Sequence, residues 1–124
     1  MADSQKKRVL LIDDDDHIRQ MLSTLLEFSD YDVVGEAENG KKGLEKFLEL
    51  KPDAVLLDIN MPVMDGVQTL KAILEADPDC TVIMLTAESP NELYEECLAL
   101  GAKRFIQKGL PMEEIHQKIE ESLP

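Results

Sequence analysis

Four aspartates, Asp13 to Asp16, stand in a row directly after the apolar run Val9-Leu10-Leu11-Ile12. Asp58 and Asn60 follow a second apolar run, Ala54-Val55-Leu56-Leu57; Thr86 ends a third, Thr81 to Leu85; Lys108 comes just after Phe105-Ile106. Each of these residue types has a chemistry. Carboxylates brought together repel unless protons or a cation intervene. Oxygen ligands suit a hard cation such as Mg²⁺, which keeps part of its water shell and often bridges to phosphate. A carboxylate can also attack phosphorus and form an aspartyl phosphate. The transferring group spreads negative charge over its equatorial oxygens, and a metal, an ammonium and a hydroxyl stabilise that charge. The set therefore suits phosphoryl transfer onto an aspartate. Parts of it have plainer uses. Acidic residues are favoured at a helix N-terminus, and Asp15 suits a cap. Asp58 taken alone would also fit a turn.

These residues meet only if the fold gathers them, and the pattern around them predicts that it does. Val9 to Ile12 is short and continuously apolar, as in a strand buried on both faces. Ile18, Met21, Leu22, Leu25 and Leu26 then mark one helix face. Val33-Val34 sits in a second strand. Leu44, Phe47 and Leu48 mark a second helix, entered through Asn39-Gly40. Lys51-Pro52 stops it, since the residue before proline avoids the helical region. Ala54 to Leu57 is a third strand. Val67, Leu70, Ile73 and Leu74 share a third helix face, with Asp65 and Gln68 as a cap-like pair at its start. Thr81 to Leu85 is a fourth strand. Ser89-Pro90-Asn91-Glu92 reads as a capping box opening a fourth helix. Phe105-Ile106 is a short fifth strand, and Pro111 opens a last helix through Met112, Ile115 and Ile119.

Five strands and five helices in strict alternation predict an α/β fold, a doubly wound parallel sheet with helices on both faces. In such sheets function gathers at the C-terminal ends of the strands, where the polar residues above stand. Periodicity does not give the strand order.

The 124 residues suit a single domain, 1–124, and 44% hydrophobic residues are enough for one core. The formal net charge of −13 argues against nucleic acid and anionic membrane as direct partners. No apolar run approaches the roughly 20 residues a membrane span needs. Met1 to Arg8 is polar and lacks a signal peptide's apolar stretch, so a cytoplasmic location is expected. Cys80 and Cys97 form no C-x-x-C pair and are expected as buried small hydrophobes. His17 and His116 fall on helices and are expected to be solvated or partly packed rather than ligands. Met61 and Met64 are expected as loop packing, and Glu88 either borders the site or is an exposed loop acid.

Leu11-Ile12-Asp13-Asp14, then Leu57-Asp58-Ile59-Asn60-Met61-Pro62-Val63-Met64-Asp65-Gly66, then Leu85-Thr86-Ala87, then Lys108, together resemble a response-regulator receiver domain of two-component signalling, chemotaxis regulators included. The resemblance covers about residues 7 to 123, and the D-x-x-M-P-x-M-D-G string is its most specific part. It implies a flavodoxin-like strand order, 2-1-3-4-5; a regulator of this type is a standard example of that order. It also implies that Asp58 accepts a phosphoryl group from the phosphohistidine of a histidine kinase or phosphotransfer protein. Mg²⁺, with Mn²⁺ able to substitute, would be bound by Asp14 and Asp58 through carboxylates and by Asn60 through its backbone carbonyl. Asp13 would support the metal through water. Thr86 and Lys108 would contact the phosphoryl oxygens. Phe105 would turn inward as Thr86 moves, and a downstream effector would dock on the face of the fourth helix, fifth strand and fifth helix. That face is expected to include Asn91, Glu92, Glu95, Lys103, Arg104, Gln107 and His116. A monomer or an activation-dependent dimer is expected.

Two positions depart from the family pattern. Gly109 follows Lys108 where proline is usual, and the switch aromatic is phenylalanine rather than tyrosine. Two other functional classes share parts of this pattern. An aspartyl hydrolase needs a separate acid or base, often in a D-x-D arrangement, whereas Asp58 is followed by Ile59-Asn60; a turnover enzyme on an external substrate is therefore not expected. A flavin binder needs a Ser/Thr/Gly-rich loop after the first strand, where this chain has four aspartates.

Overall fold

The computed structural model describes residues 6–59, 61, 63–87 and 92–123. Its elements alternate as β1 (Lys7–Ile12), α1 (Asp16–Glu27), β2 (Tyr31–Ala37), α2 (Gly40–Leu50), β3 (Ala54–Asp58), α3 (Gly66–Ala76), β4 (Thr81–Thr86), α4 (Glu92–Leu100), β5 (Arg104–Gln107) and α5 (Met112–Ser122). The strands form one parallel sheet in the order β2-β1-β3-β4-β5.

The two-residue alternation of strand side chains divides the core between the two faces. Leu10, Ile12, Val55, Leu57, Val82 and Met84 point to one side, where Phe47, Leu70, Ile73 and Cys97 from α2, α3 and α4 cover them. Val9, Leu11, Leu56, Ile83 and Leu85 point to the other and meet Leu22 and Leu26 of α1 and Ile115 and Ile119 of α5. β3 and β4 are apolar in every interior position, and β1 from Val9 onward, because both their faces are covered there. β2 is longer than Val33-Val34 suggested. It lies at the sheet edge, so Asp32 and Glu36 remain exposed within it.

The helix starts follow their sequence signals. Asp15 accepts from the backbone N–H groups of His17 at 2.9 Å and Ile18 at 3.3 Å. Asn39 accepts from Lys42 N at 2.8 Å. Asp65 and Gln68 form a reciprocal capping box. Of the Ser89-Pro90-Asn91-Glu92 signal, Ser89 to Asn91 lie outside the described residues; α4 begins at Glu92. Lys51-Pro52 ends α2 as expected, and Lys51 leaves the helical region by turning left-handed, at φ 49° and ψ 60°, where a residue before proline is more often extended. Arg8 explains the choice: its guanidinium donates to the carbonyls of Leu50 at 2.7 Å and Lys51 at 3.1 Å, closing the end of α2 from β1.

Cys80 and Cys97 are free and buried. Burial, with Asp77 and Asp53 nearby, pushes the Cys80 thiol up to about 12, which leaves it inert at neutral pH. Among the described residues no helix is long and apolar enough to cross a membrane.

Candidate functional site

Asp13 continues the β1–β2 pairing one residue past the strand, through its N–H to the Ala37 carbonyl at 3.0 Å. Asp58 is the last residue of β3 and Thr86 the last of β4; both are buried. Lys108 extends the β4–β5 pairing, its N–H donating to the Thr86 carbonyl at 2.7 Å. Parallel pairing thus brings four strand ends to one edge of the sheet, and the side chains follow.

Carboxylate oxygens of Asp13, Asp14 and Asp58 lie within 4.8 Å of one another. The Lys108 ammonium sits 2.7 Å from Asp13 Oδ2 and 3.3 Å from Asp58 Oδ1. Asp13 Oδ1 accepts from Asp15 N at 2.9 Å. Its other oxygen, Oδ2, is buried and faces the Lys108 ammonium. Asp14 is exposed. An open cleft runs over this group, lined by Asp14, Ile18, Asp58, Ala87, Lys108 and Gly109.

Electrostatics set the protonation of the site. Burial, and then the Asp13 charge, raise the Asp58 carboxyl to about 7, against the opposing pull of Lys108. Burial works against the Lys108 ammonium, but its contacts with Asp13 and Asp58 outweigh that and hold its pKa above the ordinary lysine value. The site gathers three carboxylates around one ammonium, an oxygen donor set with excess negative charge. These residues fit a hard divalent cation.

The chain around Asp58 explains the Asp65-Gly66 pair. Gly66 N donates to the Ile59 carbonyl at 2.8 Å. A Cβ on Gly66 would fall 2.3 Å from the Asp58 carbonyl oxygen and 2.6 Å from Ile59 Cα, so α3 starts against the acceptor's own backbone. A Cβ on Gly40 would fall 2.3 Å from the Met64 carbonyl, so α2 starts against the same loop. Within that loop Val63 takes φ 72° and is exposed.

Of the residues expected from sequence, the fold therefore brings Asp13, Asp14, Asp58 and Lys108 into direct proximity, with Thr86 on the strand beside Asp58. Asn60, and with it Pro62, Glu88 and Asn91, lie outside the described residues. Phe105 pairs in register with Met84, is half-buried, and packs on the core. Its ring lies against Tyr94 of α4. Gly109 is exposed, and a Cβ there would meet nothing within 4 Å. Met61 packs half-buried on the core, as expected.

His116 is a correction. It contacts Ser29 Oγ at 2.6 Å and Glu120 Oε1 at 2.8 Å, so it faces the end of α1 and not the α4–β5–α5 face. The α5 residues on its helical face turn toward α1 because Ile115 and Ile119 must bury against α1's side of the sheet. Arg104 does stand at β5, tied to the Lys118 carbonyl at 3.3 Å and to Glu121 at 3.1 Å.

Two residues near the site went unnoticed in the sequence. Tyr94 had no signal beyond its helical position. Arg19 stands three residues after Asp16, a spacing that places an acid and a base together on a helix, and it reaches back to the Asp13 carbonyl.

Residues 9–120 match the family model described as the response regulator receiver domain. A chemotaxis protein CheY from Thermotoga maritima is 42% identical over 102 residues, covering 82% of this chain and 85% of its own length. The chemotaxis protein CheY of Listeria monocytogenes is 37% identical over 115 residues, covering 93% and 97%. Among solved structures, the CheX–CheY–BeF₃–Mg²⁺ complex from Borrelia burgdorferi superposes with a TM-score of 0.88 at 32% identity, covering 93% of this chain and 87% of that one.

Proposed function

The chain belongs to the response regulator receiver family, the phosphorylation-dependent signalling modules of two-component systems, and on that footing we propose that Asp58 is its phosphoacceptor. The observation that carries this reading is the buried Asp58 carboxylate at the C-terminal edge of the sheet, with Asp13, Asp14 and Lys108 around it. Asp13, Asp14 and Asp58, with the Asn60 carbonyl, would hold Mg²⁺ or Mn²⁺. The cation supplies charge neutralisation for the incoming phosphoryl group.

The chain's own groups do the rest. Asp58 must be ionised to attack, and its raised pKa means that a neighbouring positive charge decides the matter near neutral pH. Lys108 already supplies one such charge. An Asp58 oxygen bonds to phosphorus as the P–N bond of the donor phosphohistidine breaks, and the imidazole leaves with the electron pair. Lys108 then exchanges its carboxylate contacts for a phosphoryl oxygen, and the Thr86 hydroxyl donates to another. Thr86 is drawn toward the phosphate, and Phe105, one strand over, turns inward behind it.

The donor is a histidine kinase or phosphotransfer protein in the cytoplasm. The output is a partner that reads the α4–β5–α5 face, where Glu95, Lys103, Arg104 and Gln107 lie, with the chain as a monomer or an activation-dependent dimer. The chain acts on its own phosphorylation state and not as a turnover enzyme on an external substrate. Incubation with acetyl phosphate and Mg²⁺ should add a single phosphoryl group to the intact mass, and Asp58→Ala should add none. Equal labelling of the variant would remove Asp58 from the role.

A further inference from the structure

Building on the cation site proposed above, we infer that Arg19 is a positioning residue for that cation, acting through the Asp13–Asp14 peptide. Its side chain is only 13% exposed. Nη1 donates to the Asp13 main-chain carbonyl, Nη2 pairs with Asp16, and Nε bonds Glu36 Oε1 at 3.1 Å. One planar fork therefore holds the β1–α1 loop, the first turn of α1 and the edge strand β2. A guanidinium fixes such directions in its plane, whereas a lysine ammonium does not.

The Asp13 carbonyl is the informative acceptor. It belongs to the peptide that joins Asp13 to Asp14, and that peptide is planar. Fixing its oxygen fixes the direction in which the chain leaves for Asp14, and so where the Asp14 carboxylate begins. Asp13 is anchored at its other end by its N–H to Ala37 at 3.0 Å and by the bond from Asp15 N to its Oδ1 at 2.9 Å. Arg19 completes the clamp. The loop needs one, because Asp13 to Asp16 are four carboxylates in a row that repel one another when no cation is present.

Position and charge predict opposite signs. As a positive charge near a cation site, Arg19 should weaken Mg²⁺ binding, and its removal should tighten it. As the group that orients the metal's ligands, its removal should weaken binding, by roughly 10- to 100-fold as is usual for such groups. The test is a Mg²⁺ titration of unphosphorylated protein, followed by amide NMR shifts, on wild type, Arg19→Ala, Arg19→Lys and Glu36→Gln, each with a thermal melt. Weaker binding is expected in both Arg19 variants, the lysine included because it keeps the charge and loses the fork. Glu36→Gln should lower the melting temperature and keep near wild-type affinity. Phosphorylation of the Arg19 variants by acetyl phosphate should need more Mg²⁺ but reach the wild-type rate at saturation.

Unchanged or tighter Mg²⁺ binding by the Arg19 variants would overturn the inference while leaving the cation site intact. So would an equal loss in Glu36→Gln, which would make Arg19 a brace between α1 and β2 only. If Arg19→Ala fails to fold, Arg19→Lys against Glu36→Gln decides the same question. Absence of Mg²⁺ binding in wild type would overturn the cation site itself and the inference with it.

Discussion

The Phe105 ring lies against Tyr94, with centroids 4.8 Å apart and planes inclined by 52°. The contact joins β5 to α4, and both rings are half-buried. The hydroxyl that Phe105 lacks is therefore carried beside it, on the neighbouring helix. If Phe105 rotates on activation, Tyr94 loses its ring partner. The chain has only two tyrosines, so their ring signals are easily assigned. With beryllofluoride and Mg²⁺, the Tyr94 ring resonances should shift while those of Tyr31, on β2, stay in place. An unmoved Tyr94 would rule out the inward turn of Phe105.

Asp58 makes the metal-free protein sensitive to pH. Its folded-state carboxyl titrates at about 7, against about 4 for an unperturbed aspartate. Between those values the folded state holds more protons than the unfolded chain. The stability Asp58 contributes is therefore complete below about pH 4 and is lost as pH rises through about 7. Asp58→Asn cannot ionise and should lose this slope, melting above wild type at about pH 8 in EDTA. Mg²⁺ should narrow the gap by stabilising wild type more. Parallel melting curves across that range would show that Asp58 ionises normally.

Gly66→Ala should damage both fold and acceptor. A methyl 2.3 Å from the Asp58 carbonyl oxygen forces α3 away from the end of β3, at a cost of about 1–3 kcal/mol or somewhat more, as for other overpacked sites. Chemical denaturation should report that loss. The acetyl phosphate reaction should slow in the folded fraction as well, because the shift is transmitted through the acceptor's own peptide.

Val63→Gly should do the reverse. A β-branched residue at φ 72° carries a left-handed penalty of about 1–2 kcal/mol, and its side chain, 77% exposed, has little burial to lose. Glycine removes the penalty but adds unfolded-state entropy worth about 0.5–1 kcal/mol. A small net gain, under about 1.5 kcal/mol, is expected in urea midpoints. A loss of stability would mean that the side chain makes a contact worth more than the strain.

Much of this molecule can be read from apolar runs and caps. Val9–Ile12, Ala54–Leu57 and Thr81–Leu85 announce buried parallel strands because helices cover both their faces, and Asp15, Asn39 and Asp65 announce helix starts because they complete orphan N–H groups locally. The strand-end logic also predicted that Asp13, Asp58 and Lys108 would meet. Less legible is whatever depends on contacts between distant segments. The left-handed turn at Lys51 is set by Arg8, forty-odd residues earlier. The length of β2 depends on its edge position. The reason for glycine at 66 is the carbonyl of Asp58, and the role of His116 is fixed by Ser29. Periodicity carries no record of such pairings.

The strand order has a consequence for how the backbone breathes. β1, β3 and β4 are each paired on two sides, whereas β5 is bound only to β4 and is four residues long. Its amide hydrogens are protected by a single neighbour, so they exchange with solvent through small local openings, while those of β1 and β3 wait for the whole sheet to come apart. β2 lies at the opposite edge but has seven residues to hold it. The strand that carries Phe105 and delivers Lys108 is thus the first ply to lift. A phosphoryl group that engages Lys108 would close that edge down, and the signal would be written as deuterium uptake lost from β5 with the centre of the sheet unchanged.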